Sequence, residues 1–125
     1  MDRLLGLKQF RIRLLKELGL PPMGEASMVK DPVKVDPKHY KVEFENDKVR
    51  VLRIRYGPRE RSTMHDHPNA VAVFLEDARA RFTYPGGKTE NADFKAGQAM
   101  WFPAVEHLPE NALDKPIHHI FIEFK

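Results

Sequence analysis

The 125-residue chain contains no cysteine. That absence removes disulfides, thiolate zinc ribbons and cysteine nucleophiles together, so any metal must be held by nitrogen and oxygen ligands. Long apolar runs are missing too: charged residues make up 31% of the chain, and nothing approaches the roughly 20 consecutive apolar residues that a membrane-spanning helix needs. A secretory leader is not indicated, because Lys8, Arg11, Arg13 and Lys16 interrupt the N-terminal leucines and no small-residue cleavage site follows them. A cytoplasmic location is the resulting expectation, and a membrane is not an expected partner. Charge of one sign is also scarce outside a single segment. The net charge of +3 comes from residues 1–20, where Arg3, Lys8, Arg11, Arg13 and Lys16 stand against Asp2 and Glu17. The rest of the chain carries equal numbers of basic and acidic side chains, which leaves no excess to grip a phosphate backbone, so nucleic acid is not an expected partner either.

What is present is enough for one domain with an N-terminal extension. Leu4, Leu7, Leu14, Leu15 and Leu18 recur near helical spacing and are followed by Gly19, Pro21 and Pro22, which predicts an amphipathic helix over 2–19. Residues 20–38 read as a proline-containing linker, so that 1–38 is helix plus linker and 39–125 is the folded domain. From Tyr40 onward the pattern changes to short strands separated by turn signals such as Glu45-Asn46-Asp47 and Pro85-Gly86-Gly87. The expected strands are 40–45, 48–56, 62–67, 71–75, 79–84, 90–94, 98–102, 107–109 and 117–124. Eight or nine strands of this size suit an all-β jelly roll. A homodimer is the expected assembly, since small barrels shield their sheet edges by pairing.

Chemistry concentrates in the histidines. In Thr63-Met64-His65-Asp66-His67 the two imidazoles are two apart on an expected strand, so they project from one face with bases about 7 Å apart. That is a chelating geometry, although surface histidines at this spacing also occur without a metal. Thr63 shares the face and becomes a candidate pocket residue. Further on, Gly97 opens and Pro103 closes an apolar strand that contains Trp101 and Phe102, with His107 and Asn111 just beyond. Trp101 and Phe102 are candidates for core and pocket wall. Arg81, with Arg79 and Thr83 on one strand face, would clamp an acidic substrate if that face lines the cavity; the alternative is a solvated face. His118 and His119 should point to opposite faces of the last strand, in packing or supporting roles. His39 reads as a solvated loop residue.

Together these segments resemble the two sequence motifs of the cupin superfamily. The first family motif sets a glycine before His-x-His and a glutamate after it; His65 and His67 match directly, Gly57 is the nearest glycine, and the glutamate position falls on Val71 or Ala72. The second runs from a glycine through a proline to a histidine and an asparagine; Gly97, Pro103, His107 and Asn111 match, with Val105 near the expected second glycine. The resemblance covers roughly residues 40–125. It implies a double-stranded β-helix, or jelly-roll, barrel and a divalent metal ion (Fe, Mn, Ni, Co or Zn) held by His65, His67 and His107. Three neutral imidazoles would leave the ion's charge uncompensated and make it a strong Lewis acid. The expected function is therefore an enzyme acting on a small organic molecule chelated at the metal, of dioxygenase type or by Lewis-acid chemistry. The alternative is a non-catalytic cupin that binds a small molecule or metal.

Overall fold

The computed structural model describes residues 30–125. The helix expected over 2–19 lies outside the described residues. Nine strands follow one short helical turn: α1 (Pro32–Val35), β1 (Tyr40–Glu45), β2 (Val49–Tyr56), β3 (His65–His67), β4 (Ala70–Phe74), β5 (Ala78–Thr83), β6 (Thr89–Phe94), β7 (Ala99–Phe102), β8 (Val105–Asn111) and β9 (Ile117–Phe124). They form two antiparallel sheets, a five-stranded one in the order β1-β2-β9-β4-β7 and a four-stranded one in the order β3-β8-β5-β6. This strand-rich arrangement fits a jelly roll. Among the described residues the expected closed barrel is not formed, however, because the ladders remain two separate sheets.

Period-two alternation explains which residues enter the space between the sheets. Along β8, Val105, His107, Pro109 and Asn111 are buried while the residues between them are partly exposed. On β4 the buried set is Ala70, Ala72 and Phe74, and on β5 it includes Ala78 and Ala80. Phe94, Phe102 and Phe121 join Leu52 and Ile54 to complete the core. Alternating alanines with phenylalanines matters for function, since small side chains opposite large ones leave a void. The turns use the expected residues. Asn46 Oδ1 accepts from the amides of Lys48 and Val49, closing the β1–β2 hairpin. Gly86 and Gly87 take φ of 91° and 93°, left-handed values that a side chain would strain, in the β5–β6 turn.

Within the span 20–38, Pro32–Val35 forms α1, with Asp31 and Asp36 at its ends. Asp31 caps α1 by accepting from Val33 N, and it receives both terminal nitrogens of Arg50 at 2.9 and 3.0 Å. Backbone bonding continues the attachment, with Asp66 N donating to Lys30 O. The outer face of the five-stranded sheet carries an apolar row in which Phe44, Val51, Ile122, Val71 and Trp101 are successive cross-strand neighbours. Phe44 is 54% exposed at one end of this row.

Candidate metal centre and cavity

Pairing of β3 with β8 sets His65 directly opposite His107. His67, two residues along β3, projects from the same face, so three imidazoles from two adjacent strands meet between the sheets. All three are buried, with ring centroids 4.8, 5.0 and 5.2 Å apart and planes close to perpendicular. One ligand nitrogen from each lies within 4.8 Å of the other two.

Hydrogen bonds fix which nitrogen His65 and His67 offer. His65 Nδ1 lies 2.8 Å from the carbonyl of Thr63 and 3.3 Å from Ser62 Oγ, whose own proton goes to Asp36. Nδ1 therefore carries the hydrogen, and Nε2 is left as a buried lone pair with no hydrogen-bond partner among the described residues. Burial first, and then the neighbouring His67, push the pKa of His65 down to about 3, so the ring is neutral as a metal ligand must be. His67 Nδ1 lies 2.6 Å from Glu123 Oε2, and a carboxylate can only accept there, so Nδ1 carries the hydrogen and the lone pair is on Nε2. His107 is held by stacking on Phe82, at 5.2 Å and 1° between planes. The orphaned nitrogen and the three convergent imidazoles fit a first-row divalent ion, and the buried group could hold one.

Two supporting networks escaped the sequence reading. In the first, Glu123 is 1% exposed and bridges His67 to Arg50, whose Nε donates to Oε1 at 2.8 Å; Arg50 then continues to Asp31. Burial works against the charge on Arg50, but its hydrogen bonds to Asp31 and Glu123 raise its pKa above the ordinary value. The acidic residue missing from the first motif is thus supplied by β9, behind a histidine rather than beside it. In the second network His39, expected in solvent, is 5% exposed. Its ring stacks on Tyr56 at 4.2 Å, Nδ1 meets Asp36 at 2.7 Å and Nε2 meets Glu60 at 3.0 Å. Asp36 accepts from Ser62, so the chain Glu60, His39, Asp36, Ser62 ends on His65. Hydrogen bonds from Lys38, the Gly57 amide and His39 hold Glu60 down at about 2.

A cavity of about 490 Å³, its open mouth included, adjoins the cluster. Its wall includes His67, His107, His119, Tyr40, Tyr56, Phe74, Phe82, Phe94, Phe102 and Phe121. Of the pocket residues expected from the sequence, Phe102 lines it. Thr63 is exposed and contributes only its carbonyl, to His65. Arg81 is exposed because β5 turns Ala80 inward and the adjacent odd position outward. Trp101 lies on the outer face, stacked on Phe124 at 5.8 Å. Asn111 is fully buried and ties loops together, donating to the carbonyls of Gly57 and Lys115. His118 and His119 face opposite ways: His118 is bonded to Arg53 on the outer surface, whereas His119 lines the cavity.

Two facing jelly-roll sheets with a buried His-x-His and a third histidine across the ladder give the chain a cupin-type fold. Similar solved structures share that fold. A cupin domain from Bordetella pertussis Tohama I matches with a TM-score of 0.64 and 25% identity over 69% of this chain and 91% of its own. A cupin-family protein with a double-stranded β-helix fold from Methanocaldococcus jannaschii matches with a TM-score of 0.54 and 17% identity, covering 82% of this chain and 93% of its own. An oxalate decarboxylase variant from Bacillus subtilis gives a TM-score of 0.51 and 17% identity over 78% of this chain and 24% of that one. No family model and no curated protein matches the sequence.

Proposed function

We propose that the protein holds a divalent transition metal on His65, His67 and His107 and acts as an enzyme on a small, largely apolar organic molecule bound in the adjoining cavity. The observation that carries this reading is the buried, unpartnered Nε2 of His65 beside two further imidazoles. Leaving such an acceptor unsatisfied costs about 1–3 kcal/mol, a cost that a ligated ion removes. When bound, the ion supplies Lewis-acid polarisation of a chelated oxygen or, for iron, a place for dioxygen.

The chain's own residues supply the rest. Aromatic walls from both sheets exclude water and position the ligand. Tyr40 and Tyr56 line the cavity with their hydroxyls 2.6 Å apart, and burial keeps both protonated by raising their pKa values. They can hold a proton at the ligand's edge. Behind His65, the Ser62–Asp36–His39–Glu60 chain fixes the ring and leads to the surface. A homodimer belongs to the same proposal, with the outer apolar row as the surface through which two copies would pair. A monomer's mass by light scattering overturns that part.

Elemental analysis of the purified protein beside His65→Ala, His67→Ala and His107→Ala tests the centre. Near-stoichiometric metal in the wild type and its loss in each variant is the expected result, and bound iron would lead to oxygen-consumption assays with chelating substrates. A wild type that is metal-free and takes up no added iron, manganese, cobalt, nickel or zinc overturns the metal reading. Metal with no turnover leaves the non-catalytic binding protein as the function.

A further inference from the structure

Inward positions on β9 are Ile117, His119, Phe121 and Glu123, spaced by two residues. Glu123 bonds His67 Nδ1 from behind, whereas Phe121 touches the His67 ring at 4.7 Å and so marks the level of the ligating imidazole. His119 is one further step along the same face, about 7 Å beyond Phe121. Cross-strand partners confirm the levels, since Ala72 sits opposite Phe121 and Phe74 opposite His119. The His119 ring stacks on Phe74 at 5.0 Å, and Phe74 in turn stacks on Phe94 at 4.2 Å. Among these apolar neighbours the Nδ1 of His119 is buried with no hydrogen-bond partner among the described residues. An imidazole kept here in place of a phenylalanine gains nothing from its wall contacts that a phenyl ring would not also give, and it leaves a polar atom unsatisfied.

We propose that His119 is the second polar pole of the cavity. The site then takes a slim molecule with chelating oxygens at one end, an apolar or aromatic middle, and a hydroxyl or carbonyl roughly 7 Å away that bonds the imidazole. Because burial, followed by the charges of His67 and His118, lowers the pKa of His119 to about 3, the ring is neutral and recognises a neutral group rather than a second carboxylate. Phe121, Phe102 and Phe94 form the belt between the poles, which excludes ligands charged in the middle. His119 acts here as a specificity-determining residue that touches the ligand. The inference rests on the metal reading above for its first pole.

Isothermal titration of Co(II)-loaded protein with benzohydroxamic acid and 4-hydroxybenzohydroxamic acid tests it, with cobalt content measured on the same samples. The two probes chelate identically and differ only in the distal hydroxyl. Wild type is expected to bind the hydroxylated probe about tenfold more tightly, the worth of one buried hydrogen bond. His119→Phe, which keeps the ring stacking, is expected to bind both equally without losing cobalt. The wild-type comparison stands by itself if that variant does not fold. Cobalt bound with equal affinity for the two probes, or a preference that survives in His119→Phe, overturns the role of His119 alone. A wild type that retains no cobalt overturns the metal reading and the two-pole ligand with it.

Discussion

Replacing Glu123 with alanine is expected to lower stability by about 3 kcal/mol, at the lower end of the range for breaking a buried ion pair. Its two oxygens serve two buried partners, Arg50 Nε at 2.8 Å and His67 Nδ1 at 2.6 Å. Without them the His67 N–H has no acceptor, while Arg50 keeps its paired contacts to Asp31, which limits the loss. For a domain of this size about 3 kcal/mol corresponds to a fall in Tm of roughly 10–20 °C. Metal affinity should fall as well, by about 10–100-fold, because the carboxylate fixes both the tautomer and the orientation of His67. Glu123→Gln separates the two effects. An amide can still accept from Arg50 or from His67, so stability should recover in part, but it does not raise the basicity of His67 as a carboxylate does. Thermal melts with and without metal, together with competition against a chelator, measure both quantities. An alanine variant that melts within about 3 °C of wild type, less than 1 kcal/mol on this scale, would show that the Arg50–Glu123–His67 bridge does not form in solution.

Much of this architecture follows from local signals. The span 117–124 has the same ends as β9, and β1 runs 40–45 as expected, because alternation and turn residues act within a few positions. His65 and His67 on one face is likewise a consequence of strand periodicity. The residues that orient the histidines depend instead on register between distant segments. Glu123 reaches His67 across 56 positions, and Asp36 reaches Ser62 across 26. A local signal for Glu123 did exist: in a strand where His119 points inward, parity places 123 on the same face, and an acidic residue there requires a buried partner. His39 offered no such cue, since it precedes β1 and its burial comes from α1, Tyr56 and Glu60 closing over it. Thr63 is exposed for the opposite reason: β3 begins only at His65, so strand parity does not extend back to it.

The metal-free protein is expected to lose stability steeply between pH 6.5 and about 3. His65 and His119 are both held down at about 3, in each case by burial first and by the neighbouring His67 next, against 6.5 in the unfolded chain. Both values are folded-state depressions, so between the two pKa values the unfolded state binds protons that the folded state does not, and stability falls as pH falls. The stabilisation is complete above pH 6.5 and gone below about 3. Each histidine contributes about 1.4 kcal/mol per pH unit within that window, so the pair gives a slope near 2.7 kcal/mol per unit. Glu60, held at about 2, adds to the loss at the acid end, where its hydrogen bonds to Lys38, Gly57 and His39 fail as it protonates. Denaturant melts of chelator-treated protein at pH 7, 6 and 5 measure the slope, and His119→Phe should reduce it by about half, since one of two protons is then missing. A stability that is flat from pH 7 to 5 would mean that water reaches these imidazoles, and a hydrated cluster would lack the buried lone pair on which the metal reading stands. Bound metal should steepen the profile further, because protons then compete with the ion for the same nitrogens.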